Sequence, residues 1–567
     1  EWVESLDRVS LSVVGVAIVA LATRLVSLGT RVAGYSEGRL GSRILEYHAT
    51  GDWAVAAGGS PLLVHVDRWL FAVTGPSDFV ARLPVAVLGA LLPLCALLFR
   101  DRLRNGAVVG VAVVLAASPA LLFHSRMLLP IVPMAAFSLA TAGFALRLLD
   151  REEPLYALPL AVSVALALGA APAAILVLGG AILSAWLTAA PSSGRLRPVL
   201  QEKSDEWRRP VVASAVLFLV LVTFLFAPRG SVAGGTGLWA SLTQPWAVPG
   251  VVLEATVGTG ALTVEGWVTG PIIVDAPIAE LGRSARTVIL GAQGVSVLAV
   301  VGVLSVVLGK DGADGTTLVR FATVWGVLLF GGTALTVGSA SIGPFVPAMV
   351  VLSVPAGVGL SVLVSRAVEA TRRDAVSTAA VLSLVLGAVM LQGAAVTVDG
   401  VYRDPAADQY RLGPSAPGDE RLGAVLDVAV VAVQDARDDP AVLYYRSRND
   451  SGDLAVTPGS GTEVSGATTT GNATTDGSPG HPLPWYLGTA DATVEETTDT
   501  GRVATELPAV VVAKSMAFDA LEPHLAGYVA FPVSLPRMDQ PVVIFIRTDR
   551  LPSDRWRGSL SAAPAGS

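Results

Sequence analysis

Cysteine is almost absent from this 567-residue sequence: Cys95 stands alone inside an apolar run. A disulfide framework within the chain is therefore excluded, and a thiolate metal site is implausible. Lysine is nearly as scarce. Only Lys203, Lys310 and Lys514 occur, so almost all positive charge is arginine. Charged residues make up 15% of the chain, too few for a soluble protein of this length to cover its core. No glycine-rich nucleotide loop and no basic nucleic-acid patch is present. Nucleic acid is not an expected partner, and a nucleotide sugar bound from the cytosol is not favoured. A cleavable signal peptide is missing too. Glu1 to Arg8 is polar and mixed in charge, and the run behind it is long enough to span a membrane. It reads as a retained first helix, and the missing initiator Met suggests that a short piece precedes Glu1.

What the sequence does have is apolar length. It is 52% hydrophobic, with a mean hydropathy of +0.61. A helix crosses the hydrocarbon layer with roughly 20 apolar residues. Eleven such stretches are expected: Ser10–Gly29, Pro84–Phe99, Gly106–Phe123, Leu128–Leu149, Leu155–Gly169, Ala171–Ala189, Pro210–Ala227, Thr287–Gly309, Leu318–Val337, Gly343–Val364 and Ala375–Val398. The fold class is a polytopic α-helical membrane protein with a small extracytoplasmic α/β C-terminal domain. Arg100, Arg102 and Arg104 fall in one loop. Arg195, Arg197, Lys203, Arg208 and Arg209 fall in another, and Arg366, Arg372 and Arg373 in a third. Eleven spans put all three loops on one side, which the positive-inside rule makes cytoplasmic. The N-terminus is then inside a multi-pass plasma-membrane protein. The first loop (30–83), the long loop (228–286) and the tail lie outside.

The domains expected are a membrane domain over 1–398 and an α/β domain over 399–567. Strand-like runs occur at Ala441–Tyr445, Pro508–Ala513, Tyr528–Val533 and Val542–Ile546, after a helical pattern at Glu420–Ala436. Residues 447–480 are dominated by Gly, Thr, Ser and Asp. They cannot bury enough apolar surface to offset chain entropy and read as a disordered insert. Asn449 and Asn472 open glycosylation sequons in it, which agrees with an outside location. The acidic, arginine-over-lysine composition suggests a high-salt organism with a GC-rich genome.

The first loop is the most specific stretch. It opens Gly34-Tyr35-Ser36-Glu37-Gly38-Arg39 and continues as an amphipathic helix with Leu40, Ile44 and Tyr47 on one face. A second amphipathic helix follows Gly59-Ser60-Pro61 and carries Leu62, Val66, Trp69, Leu70 and Val73. Two such helices can lie flat at the membrane surface. Packing between the first two spans is the plainer account, and amphipathicity alone favours it. The order of parts adds a resemblance: a first span, a loop with an acidic pair, many spans, then an outer domain. Tyr35 to Gly41, Gly59-Ser60-Pro61, Asp78-Phe79-Val80-Ala81-Arg82-Leu83-Pro84, Ser125-Arg126-Met127 and Pro482-Leu483-Pro484-Trp485-Tyr486-Leu487 together resemble the GT-C membrane glycosyltransferases. They are most similar to the archaeal flippase-activity-associated family, which resembles dolichyl-phosphate-mannose protein mannosyltransferases.

That resemblance implies a hexosyltransferase-like protein handling a polyprenyl- or dolichyl-phosphate-linked sugar on the outer face, in surface-glycoprotein glycosylation. Its partners would be membrane lipid, the lipid-linked sugar and other membrane proteins of that pathway. An aspartate in the first loop would act as base. Ser36 stands at that position and cannot serve; Glu37, its neighbour, is the substitute base expected here. Gly59 replaces the family's histidine and Ile131 its second acid. Arg126, Arg39, Arg43, His65 and Arg82 are the candidates for the lipid phosphate, because a guanidinium fork suits phosphate oxygens. Glu37 and Arg126 are expected to face one cavity. Arg24, near the end of the first span, reads more simply as a snorkelling side chain. His65 and Arg68 read equally well as a solvated face, and His124 at a turn is more often structural. Glu254, Glu265, Asp275 and Glu280 read as solubilising loop carboxylates. No cofactor is identified; a divalent metal needs converging oxygen ligands, which linear order does not display.

The absent acids at Ser36 and Ile131 motivate a second hypothesis of another class. The chain would be a non-catalytic accessory protein for lipid-linked sugar translocation or assembly. A transporter ranks lowest, since no inverted repeat is evident and the span centres are nearly free of charge.

Overall fold

Apolar runs too long for a soluble core become helices here, because a helix satisfies its own backbone polar groups where water is missing. The computed structural model describes residues 7–51, 59–189, 204–227, 229, 237–258, 277–308, 313–336, 342–403, 412, 421–434, 441–446, 481–535 and 541–551. The sequons at Asn449 and Asn472, the insert 447–480, Glu265 and Asp275 lie outside the described residues. In chain order the long elements are α1 (Arg8–Leu25), α2 (Tyr35–Thr50), α3 (Pro61–Thr74), α4 (Asp78–Leu91, continued as a 3-10 turn to Phe99), α5 (Asn105–Ala117), α6 (Pro119–His124), α7 (Ile131–Arg151), α8 (Ala157–Ala170) and α9 (Ala174–Ala189). They continue with α10 (Ser204–Phe226), α11 (Pro277–Leu308), α12 (Ala313–Thr336), α13 (Val346–Arg372) and α14 (Val376–Thr397).

Seven of these helices are long and apolar enough to cross a membrane: α1, α4, α7, α10, α12, α13 and α14. Helix α11 passes the same test as a pair of segments bent by 103° between Ala292 and Gly294. Three shorter apolar helices, α5, α8 and α9, occupy the remaining expected stretches. The expected third span, Gly106–Phe123, is broken into α5 and α6 at Ser118-Pro119. Proline at 119 opens α6 and removes an amide donor, so the helix restarts there.

The chain divides into two compact units. The first comprises 1–28, 57–66 and 82–415; the second comprises 29–56, 67–81 and 416–567. Within the first, small residues let helices approach closely. A methyl group on Gly110 of α5 would sit 2.3 Å from the Gly357 carbonyl of α13, and one on Gly302 of α11 would sit 1.9 Å from the Pro355 carbonyl. Close backbone approach through small residues is how helices gain contact where lipid offers no hydrophobic drive.

The second unit is built on α15 (Leu422–Gln434), α16 (Leu483–Thr489), α17 (Thr500–Glu506) and a five-stranded sheet. Its strands are β1 (Val442–Tyr445), β2 (Val494–Thr497), β3 (Val510–Lys514), β4 (Tyr528–Val533) and β5 (Val542–Arg547), in the order β2-β1-β3-β5-β4. Strand β1 is parallel to β2 and β3, and β5 is antiparallel to β3 and β4. Both faces are covered. Val442, Tyr444, Val510, Val512, Ile544 and Ile546 pack with α15, Leu483 and Leu487. Leu443, Val511, Val543 and Phe545 pack on the other face with Val503 and Leu521. Two buried faces explain the continuous apolar runs of β3 and β5, where alternation would mark a half-exposed sheet.

Helix α2 packs on α16 through two glycines. A Cβ on Gly38 would lie 2.6 Å from Pro482 Cα, and one on Gly41 would lie 2.5 Å from the Trp485 ring. Alanine normally gains about 1 kcal/mol over glycine inside a helix. At Gly41 the overlap with a Trp485 that is 2% exposed outweighs that gain. We expect Gly41→Ala to destabilise the second unit by about 1–3 kcal/mol net. Faster hydrogen exchange at the β3 amides would report it; unchanged exchange would mean that the ring moves aside freely.

Candidate functional site

In the first unit, three arginines gather around the C-terminal end of α1. Arg126, in the turn between α6 and α7, donates from Nη1 to Thr23 O (3.1 Å), Arg24 O (3.3 Å) and Val26 O (2.6 Å), and from Nη2 to Ser27 O (3.0 Å). These are carbonyls that a helix end leaves without amide partners, so the guanidinium caps α1. Its Cζ lies 4.8 Å from the Tyr402 ring centre, and the Tyr402 hydroxyl donates to Thr23 O at 2.5 Å. Burial draws Arg126 below the ordinary arginine pKa; Tyr402 opposes this, and the charge of Arg82 adds to it. Arg82 is 1% exposed and donates from Nη1 to Leu28 O at 3.1 Å.

Arg24 is the third member, and it does not snorkel. It is 0% exposed, and Nη1 donates to Ala20 O (3.1 Å) and Ala116 O (3.4 Å). Its Nε and Nη2 have no hydrogen-bond partner among the described residues. Gly89 makes the room, because a Cβ there would sit 3.1 Å from Arg24 Nε and 2.4 Å from Ser125 Cβ. Among the described residues no carboxylate pairs with Arg24 or Arg126. A buried positive charge without a counter-charge is costly, and an anion supplied from outside would relieve it. The sequence signal was an arginine one turn inside an apolar span, which by itself favours snorkelling.

His65, also in the first unit, is held at the end of α10. Its Nε2 lies 3.1 Å from Leu225 O and 3.0 Å from Arg229 Nη2, and its ring tilts against Phe224. His124 is buried and stands edge-on to Phe123.

In the second unit, Glu37 is 2% exposed and sits in the first turn of α2. Its Oε2 accepts from Gly34 N (3.0 Å) and from Arg31 Nη2 (2.8 Å). This is the carboxylate half of a capping box. Ser36 beside it is exposed. Glu37 and Arg126 belong to different units, and each is built into its own set of contacts.

Asp78, at the start of α4, accepts from Trp485 Nε1 (2.6 Å) and from the Tyr486 hydroxyl (2.8 Å). The same hydroxyl accepts from Ala33 N at 2.8 Å. The quoted segments at the start of the first loop, at Asp78 and at Pro482–Leu487 therefore meet within one unit. Arg39 and Arg43 lie one helical turn apart on α2, and both act electrostatically on His481. The His481 ring stands edge-on to Tyr35, 5.5 Å between centres. Arg68 stacks on Tyr47 at 4.3 Å. Asp67 is 0% exposed, and burial pushes its carboxyl well above the usual range. Among the described residues, no group of three His, Cys, Asp or Glu side chains could hold a metal.

Residues 424–547, which hold the sheet and α16, match the Agl23 flippase-associated protein C-terminal domain family. That segment is thus similar to an Agl23 flippase-associated C-terminal domain. Solved structures of two proteins share the fold over nearly the whole chain. ArnT from Cupriavidus metallidurans in the apo state is 17% identical, with a TM-score of 0.55, and the alignment covers 95% of this chain and 98% of that one. ArnT was also crystallised bound to undecaprenyl phosphate; that structure is 16% identical, with a TM-score of 0.54, over 95% of this chain and 99% of that one. The oligosaccharyltransferase of Archaeoglobus fulgidus in its apo form is 12% identical, with a TM-score of 0.51, over 94% of this chain and 76% of that one. No curated protein matches by sequence. The chain thus shares the fold of these GT-C structures, its C-terminal segment is similar to the Agl23-type domain, and the expected resemblance holds.

Proposed function

We propose that this protein binds a polyprenyl- or dolichyl-phosphate-linked sugar on the extracytoplasmic face of the plasma membrane, in glycosylation of surface glycoproteins. The observation that carries this reading is the buried cluster of Arg24, Arg82 and Arg126, with two guanidinium nitrogens of Arg24 unpartnered among the described residues. ArnT, whose fold it shares, has been crystallised with undecaprenyl phosphate. The loop arginines support the orientation, and the acidic, lysine-poor composition fits an archaeon of high-salt habitat. Arg39 and Arg43, on the first-loop helix of the second unit, are separate candidates for an anionic group. Other membrane proteins of the same pathway are its expected partners.

Arg24→Met tests the phosphate assignment. Methionine keeps the aliphatic stem and removes a buried charge, so the fold should hold or gain stability. Affinity for dolichyl phosphate in detergent should fall about 10–100-fold, the equivalent of one charge-assisted hydrogen bond. Unchanged affinity would remove Arg24 from the site.

A second reading, a non-catalytic accessory role, is favoured by Glu37. Its Oε2 is taken up by Arg31 and Gly34, and Ser36 offers no carboxylate. A base must reach the proton it removes, and a capping carboxylate points back into its own helix turn. Glu37→Gln preserves an acceptor for both donors. The purified protein and this variant are expected to bind dolichyl phosphate equally and to transfer no sugar unaided. Transfer by the purified wild type, abolished in the variant, would restore Glu37 as base.

A further inference from the structure

Between α10 and α11 the chain forms a short helix at Leu238–Thr243, a 3-10 turn at Pro245–Ala247 and a second short helix at Val248–Leu253. Each is far below the roughly 20 residues that cross a bilayer. Leu238 to Leu253 nevertheless contains no charged side chain. Trp246 is 78% exposed, and Trp239, Val248 and Leu253 are exposed as well. An uncharged surface of this kind keeps its apolar area in water and gains nothing for it.

The fold seats this segment at the end of a span. Val251 and Ala255 are buried with Ala227, the residue just past α10, and Phe226 and Leu238 pack around them. Helix α10 exposes Val212, Val216, Val220 and Phe224. These are spaced four apart and form one stripe, which on a membrane-crossing helix meets lipid. The stripe continues past the helix end. The Arg229 Cζ lies 4.4 Å from the Phe224 ring centre and 5.6 Å from that of Trp239, so the arginine joins the last ring of the stripe to the first ring of the segment. Tryptophan settles at headgroup level, and an arginine at that depth keeps its stem in apolar surroundings.

We propose that Leu238–Leu253 binds the membrane surface: it lies in the bilayer interface beside the end of α10, with Trp239, Trp246 and Leu253 sunk among the headgroups and the upper acyl chains. Its partner is the lipid surface itself. A second copy of the chain or another protein would also cover apolar side chains. Neither accounts for a patch that begins where a lipid-facing stripe ends and sits at the depth of that helix terminus. Nothing in this placement depends on the phosphate site.

Spin-label depth in the full-length protein tests it. Cys95→Ala removes the one native thiol, and Trp246→Cys in that background carries a nitroxide. The protein is held singly in nanodiscs of equal parts phosphatidylcholine and phosphatidylglycerol. Oxygen concentrates in lipid and a nickel chelate in water, so the ratio of their collision rates reports depth. Asp519→Cys, at an exposed charged position of the second unit, is the aqueous reference. The oxygen-to-nickel ratio at position 246 is expected to exceed the reference about fivefold, as for a helix buried about 5–10 Å into the interface. Leu253→Cys should behave alike, and it decides alone if Trp246→Cys does not fold. A ratio equal to the reference puts the segment in water and overturns the proposal. Few collisions with either reagent mean that protein covers it, which overturns the proposal too. Either result leaves phosphate binding at the arginine cluster untouched.

Discussion

Asp78→Ala is expected to cost the second unit about 2–5 kcal/mol. The carboxylate receives two donors, Trp485 Nε1 and the Tyr486 hydroxyl, and Trp485 is 2% exposed. Removing the acceptor takes a hydrogen bond to a carboxylate from each donor in a packed site, at about 1–3 kcal/mol each. The Tyr486 hydroxyl still accepts from Ala33 N. One term opposes the loss. Asp78 raises the pKa of Asp427, after burial, so deleting its charge relieves a small repulsion. Two lost hydrogen bonds to a carboxylate exceed one distant repulsion, so the net sign stays destabilising. Asp78→Asn keeps one acceptor and should cost roughly half as much, about 1–2 kcal/mol. Hydrogen exchange at Val510–Lys514 in the full-length protein is the measure, because β3 is central in the sheet. Equal exchange in wild type and Asp78→Ala would show that α16 is held by apolar packing alone.

Much of this architecture was legible in the sequence, for a physical reason in each case. Span length and apolarity are local properties, and all eleven expected stretches are helical. The runs at 441–445, 508–513, 528–533 and 542–546 are strands for the same reason, since β-branched density is local. Strand β2 escaped notice. Val494–Thr497 holds one apolar residue in four, and its glutamates are exposed at a sheet edge, where charge discourages further pairing. The opposite edge, β4, contains Pro532, which an edge strand tolerates. What sequence order hid were the long-range pairs. Asp78 meets Trp485 and Tyr486 across some four hundred residues, and nothing at either end reports the other. The Gly38-x-x-Gly41 spacing on an otherwise amphipathic helix was the available clue, because two glycines on one face mark a close approach. The roles of single polar residues were the least legible. Glu37 has the right chemistry for a base, yet its position three residues into α2 is also a capping-box position. Arg24 has the right position to snorkel, yet Gly89 opens space for it inside.

Acid should loosen the second unit, and His481 sets the window. Its pKa is about 4 in the folded chain, against an ordinary value near 6.5. A histidine with a depressed folded pKa is held neutral by the fold, so the unfolded chain binds the extra proton. Stability is therefore highest above pH 6.5, falls as pH drops from 6.5 to 4, and levels off below 4. The difference corresponds to about 3 kcal/mol, since one pKa unit is about 1.4 kcal/mol and the side chain is buried. Asp67 and Asp427 act in the opposite sense. Burial raises both, so the fold holds protons that the unfolded chain releases, and their contribution falls as pH rises through the carboxylate range. The raw pH profile of the wild type sums these terms, which makes its slope a poor test. The difference between wild type and His481→Gln isolates the histidine, because both aspartates remain in each. That difference, read from β3 hydrogen exchange in detergent without phosphate, should change by about 3 kcal/mol between pH 7.5 and 4. A flat difference across that range would mean that His481 ionises as freely in the folded chain as in the unfolded one.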